Sequence, residues 1–150
     1  VGEVKLGGGL GLFASYSYTD ATYRDDVFNV SGVLLAPIKG KTVVDSPKHM
    51  LRGELTYDNG KVFGRIGANY MSERYFTYTN DQSVPGRTIV DASLGYRVTD
   101  TIEVQLNATN LFDKQYIGTI NSGGTGNSGD RQTLLVAAPQ QFFVTLKAGF

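Results

Sequence analysis

With 150 residues and 14 Lys plus Arg balanced by 14 Asp plus Glu, the chain lacks the basic field that nucleic-acid binding requires, and no nucleic-acid partner is expected. The absence of Cys excludes a disulfide framework and a thiolate metal site. Nineteen Gly, nine Tyr and eight Phe with no Trp point to an all-β chain, because Tyr and Phe favour strands while Gly marks turns and bulges. No apolar run nears the length of a membrane helix. A β-barrel span stays open, since each of its strands needs only about 9–11 residues, half of them polar.

Taken in chain order, Val1–Leu6 reads as the tail of a strand. The glycines at 7–9 lead into a second, Leu10–Tyr18, with Leu10, Leu12, Ala14, Tyr16 and Tyr18 in one row. Successive strand residues point to opposite faces, so each row belongs to one face. A long connection at 20–46 precedes His49–Tyr57, where Leu51, Leu55 and Tyr57 alternate with Arg52, Glu54 and Thr56. Asp58-Asn59-Gly60 is a hairpin signal. The strand after it is expected to run from Lys61 to Phe76, setting Val62, Ile66, Ala68 and Tyr70 against Arg65, Asn69 and Glu73.

After a loop at 79–86, Arg87–Val98 places Val90, Ala92, Leu94, Tyr96 and Val98 opposite Asp91, Ser93 and Arg97. Thr99-Asp100 turns the chain into Thr101–Asn110, where Ile102, Val104, Leu106 and Ala108 oppose Glu103, Gln105, Asn107 and Thr109. A long connection at 111–138 leads to the terminal strand QQFFVTLKAGF, with Phe142, Val144, Leu146, Ala148 and Phe150 in its apolar row. Short and long connections thus alternate strictly. In an antiparallel meander this trims one end and loads the other with loops, as in an outer-membrane barrel.

The charged rows support the same reading, because Arg52, Glu54, Arg65, Glu73, Asp91, Arg97, Glu103 and Lys147 share a face that needs water or a polar plug beside it. Tyr16, Tyr18, Tyr57, Tyr70 and Tyr96 fall near strand ends in the apolar rows, where an interfacial girdle would sit. Alternation alone also permits a soluble sandwich that buries the apolar rows against each other.

Residues 104–116, VQLNATNLFDKQY, resemble the penultimate-strand signature of TonB-dependent outer-membrane receptors. Asn110, Leu111, Phe112 and Asp113 are followed by Lys114 and Tyr116, and the chain closes on Phe150, as in that family. The resemblance implies an all-β antiparallel transmembrane barrel of about 22 strands, of which residues 1–150 would be the last seven or so, with the plug domain and earlier strands absent. It implies a protein of the Gram-negative outer membrane that is not an enzyme and needs no cofactor. Its expected partners are membrane lipid, TonB through a missing N-terminal segment, the barrel-assembly machinery through the C-terminal strand, and a scarce nutrient such as a ferric siderophore. An ungated diffusion pore is the alternative within the membrane; a soluble β-sandwich binding module is the alternative outside it.

The residues offer no catalytic constellation, since no Ser or carboxylate has a His within argued reach of it. The lone His49 reads as a surface residue. GGGLG at 7–11 superficially matches a phosphate-cradling loop, but no helix pattern follows, so a tight turn is expected. NSGGTGNSGD at 121–130 reads as solvated loop spacer. Candidate ligand-binding residues are Glu73 and Tyr75 at the top of one strand, Arg87 at the top of the next, and Tyr78 between them. A cation beside aromatics suits an anionic, catechol-like or ferric chelate. The same residues would equally serve a network bonding to the plug or to neighbouring strands.

Overall fold

The computed structural model describes residues 1–122 and 132–149. Seven strands form one antiparallel sheet in simple chain order. They are β1 (Gly2–Gly7), β2 (Leu10–Tyr18), β5 (His49–Asp58), β6 (Val62–Met71), β9 (Arg87–Arg97), β10 (Ile102–Thr109) and β13 (Gln141–Ala148). The long connections each carry a small hairpin of their own: β3 (Val27–Phe28) with β4 (Leu34–Ala36), β7 (Arg74–Tyr75) with β8 (Ser83–Val84), and β11 (Ile117–Ser122) with β12 (Gln132–Val136). All three lie at one end of the sheet, and the tight turns lie at the other.

The expected strands and their faces are present. Register carries the apolar rows straight across the sheet: Leu55 pairs with Ile66 and Ile66 with Ala92, while Leu94 pairs with Leu106 and Leu106 with Val144. Most of this face is bare among the described residues, with Leu94 62%, Leu106 48% and Val144 74% exposed, although Ala108 at the loop end of its row is buried. The soluble-sandwich alternative required a second sheet over that face. The buried apolar side chains lie mainly among the loops instead, with Ala36, Ile38, Val84 and Ile120 among them. A sheet that leaves this much apolar surface bare is built for apolar surroundings.

Tyrosines bracket the apolar band. Tyr16, Tyr18 and Tyr70 stand exposed toward the loop end, Tyr57 and Tyr96 toward the turn end. The Lys61 ammonium lies 5.5 Å from the Tyr96 ring centre, an arrangement that keeps the charge at the edge of the band. His49 belongs to the same girdle: it stacks on Tyr16, and the Tyr16 hydroxyl is 2.8 Å from its Nδ1.

The opposite face is polar and internally paired. Glu54 Oε2 accepts from Arg52 at 3.3 Å and from Arg65 at 3.4 Å. Near the turn end Arg97 grips both oxygens of Asp58, at 2.8 and 2.9 Å, and lies over the Phe63 ring. Phe63 in turn covers Gly95, where a Cβ would stand 2.1 Å from the ring. At the first turn Gly9, with φ +85°, brings its Cα so near the Asp58 carbonyl that a Cβ would lie 2.1 Å from that oxygen. The GGG stretch is therefore a tight turn, as expected.

One expectation needs correction. The strand from Lys61 stops at Met71 instead of reaching Phe76: pairing with β9 ends at Met71↔Arg87, and Arg74–Tyr75 pairs with Ser83–Val84. The long connection expected at 111–138 is present and contains β11 and β12. Most of the expected spacer at 121–130, and Phe150, lie outside the described residues.

Candidate functional site

The loop end is organised by side chains that add to its backbone pairing. Asn80, at φ 59°, presents its amide to Thr42 as another strand would: Oδ1 accepts from the Thr42 N–H at 2.6 Å and Nδ2 donates to the Thr42 carbonyl at 2.9 Å. This joins the 72–86 connection to the 19–48 connection. Arg74, only 5% exposed, donates to Asp45 Oδ1 at 2.6 Å and to the Ile117 carbonyl at 2.7 Å. The Tyr23 and Tyr78 rings pack tilted at 5.8 Å. Burial pushes the Tyr23 phenol up from its ordinary value, and the Val44 N–H, donating to it at 3.3 Å, partly offsets this. Thr77 and Thr79 hydroxyls donate to Asp81 at 2.5 and 2.8 Å and hold its carboxyl below the usual range.

Beneath these loops, on the polar face, lies a groove of about 610 Å³ whose walls include Arg52, Asn69, Arg87, Asp91, Asn110 and Tyr116. Arg87 opens β9, and its guanidinium lies 4.2 Å from the Tyr116 ring centre. Its Nε is buried with no hydrogen-bond partner, and no carboxylate pairs with it among the described residues. Arg52 adds a second cation, shared with Glu54. The groove can therefore take an anionic, planar group against a cation that already has an aromatic platform. Among the described residues no group of three or more His, Cys, Asp or Glu is placed to hold a metal ion.

The Asn110–Asp113 turn meets the groove through Asn110 and explains the sequence signature. Asn110 and Asp113 both adopt left-handed backbone, with φ 51° and 50°, a conformation that Asn and Asp tolerate better than other side chains. The Asn110 N–H donates to Asp91 Oδ1 at 2.9 Å. Its side-chain amide donates to the carbonyls of Lys114 and Ala138 and accepts from the Lys114 N–H. Asp113 accepts from the Gln140 N–H at 2.9 Å, and Gln140 reaches the Leu111 carbonyl at 2.6 Å. The turn thus fastens the end of β10 to β9 and to the segment leading into β13, while Phe112 stands 74% exposed.

Of the residues singled out from sequence, Arg87 and Tyr116 come together in the groove. Tyr75 lies on β7 and Tyr78 in the turn after it, packed on Tyr23. Glu73 is exposed beyond the end of β6, so Glu73 and Tyr75 belong to the loop and not to an inward strand row. Sequence reasoning passed over Arg74 and Asn80. Their roles rest on partners 29 and 38 residues away, which no local pattern signals.

Comparison with known proteins agrees with this geometry. The family described as TonB dependent receptor-like, beta-barrel, matches residues 2–111. The ferric-pyoverdine M114 receptor PbuA of Pseudomonas sp. (strain M114) is 31% identical over 94% of this chain, which spans 16% of that receptor. The ferrichrome outer membrane transporter/phage receptor of Escherichia coli K12 is 30% identical over 90% of this chain and 18% of its own length. The solved siderophore receptor PiuA from Acinetobacter baumannii superposes with a TM-score of 0.76 at 21% identity, covering 97% of this chain and 20% of that one. The chain spans under a fifth of the curated relatives it matches, and it belongs to the β-barrel of the TonB-dependent receptors.

Proposed function

We propose that this chain is the C-terminal part of an outer-membrane receptor that imports a ferric siderophore, and that its outer loops and groove form one wall of the ligand's entry. The remaining strands of a barrel of about 22, the plug domain and the TonB-contacting segment would be supplied by the rest of the receptor. The barrel-assembly machinery would read the terminal strand. The observation that carries the reading is Arg87, a cation without a carboxylate partner among the described residues, stacked on Tyr116 at the loop end of the polar face. A ferric chelate with anionic oxygen donors presents the charge and flat edges such a pair recognises. The relatives' names, ferric-pyoverdine and ferrichrome, support that ligand class.

The test is uptake of labelled ferric siderophore by cells in which the complete receptor is the sole route. Arg87→Gln is expected to raise the half-saturating concentration about tenfold, ~1.4 kcal/mol, the scale of one charge-assisted hydrogen bond. Arg87→Lys, which keeps charge and loses the planar stack, should fall between. Uptake by the unaltered receptor should stop when the inner-membrane proton gradient is collapsed. Uptake indifferent to both Arg87→Gln and the gradient would overturn the reading and favour a diffusion pore.

A further inference from the structure

We propose that Arg74 is a positioning residue that binds the three outer connections into a single body and thereby holds Tyr116 against Arg87. The guanidinium belongs to β7 in the 72–86 connection. One of its nitrogens donates to Asp45 in the 19–48 connection and another to the Ile117 carbonyl in the 110–140 connection. One side chain therefore bonds all three. A planar fork with donors in fixed directions can serve two acceptors at once, which a Lys ammonium, a single point on a flexible stem, does poorly.

The partners are themselves fixed. Asp45 sits in left-handed backbone at φ 59°, and its N–H donates to the Tyr75 carbonyl at 3.0 Å. The first two connections are thus joined at Asp45 by a charged bond from Arg74 and a neutral bond to Tyr75. Ile117 directly follows Tyr116, whose ring carries Arg87. Arg74 is buried, while the Asp45 side chain keeps 40% of its exposure. Displacing any one connection alone would leave a buried cation short of an acceptor, which is strongly unfavourable. The loops are built to move together or not at all. The link to ligand binding rests on the ferric-siderophore reading; the mechanical coupling does not.

The experiment uses the complete receptor in lipid vesicles without ligand, spin-labelled through cysteines introduced at Ser31 and Thr119, both exposed and on different connections. Pulsed electron paramagnetic resonance then reads the distance distribution between them. The parent protein is expected to give one narrow distance. Arg74→Gln should replace it with a broad distribution, and Arg74→Lys should give an intermediate width. An unchanged narrow distance in Arg74→Gln would overturn the proposal. Should that variant fail to assemble, Asp45→Asn decides: it preserves shape and left-handed tolerance while removing the charge, so broadening supports the clasp and an unchanged width refutes it. Arg87→Gln is expected to leave the distance as in the parent. A failure of the ligand reading, seen as unaltered uptake in Arg87→Gln, is therefore separable from a failure of the clasp.

Discussion

Ile66→Arg is expected to destabilise the assembled receptor by about 2–4 kcal/mol, the cost of a cation on the lipid face near the middle of a membrane barrel. Ile66 sits midway along β6, between Leu55 on one neighbour and Ala92 on the other. The girdle tyrosines Tyr70 and Tyr96 lie toward opposite ends of the same face. An arginine there is too far from either edge to carry its charge out of the apolar band. Thr145→Lys, on the polar face of β13, is the control and should change stability by no more than about 0.5 kcal/mol. Equilibrium unfolding in urea, with the receptor in phospholipid vesicles, reads both. If Ile66→Arg were as harmless as Thr145→Lys, the apolar face would not be meeting lipid.

Asn110→Ala should cost about 3–4 kcal/mol, from three lost side-chain hydrogen bonds at roughly 1 kcal/mol each and about 1 kcal/mol more for holding Ala in left-handed backbone. The side chain is 5% exposed, so water does not readily replace those bonds. Asn110→Gly should recover about 1 kcal/mol, because Gly adopts this conformation freely but still makes none of the bonds. Asn110→Asp keeps the acceptor for the Lys114 N–H and leaves the carbonyls of Lys114 and Ala138 without a donor, so it should not rescue. The order Asn, then Gly, then Ala in the same unfolding assay identifies the turn as a fastening. Equal stability of the Gly and Ala variants would mean the left-handed backbone contributes nothing.

What the sequence revealed and what it hid divide along physical lines. Strands of eight or more residues with one oily face announce themselves, because period-two alternation over that length has no close helical imitator. Two of the three hairpins in the connections have strands of only two or three residues, too few for any period, and they form because the loops pack on one another. The same locality explains the misjudged end of β6. Alternation appeared to continue through Glu73 and Tyr75, yet pairing with β9 stops at Met71. Arg87 was legible from its place at a strand top. Its stack on Tyr116 emerges only when the 110–140 connection folds back over β9. The NLFD signature was visible as a string, whereas its cause, an Asn whose backbone bonds to β9 and whose side chain bonds to Ala138 ahead of β13, is tertiary.

The most direct test of the account is a nitroxide scan along β10 of the complete receptor in vesicles, reading access to oxygen, which concentrates in lipid, against access to a water-soluble nickel chelate. Labels at Ile102, Val104 and Leu106 should favour oxygen over the chelate, while those at Glu103, Gln105 and Asn107 should not, giving a period of two. Equal access of the chelate to both sets, or alternation of the opposite phase, would contradict a barrel wall with its apolar rows in lipid.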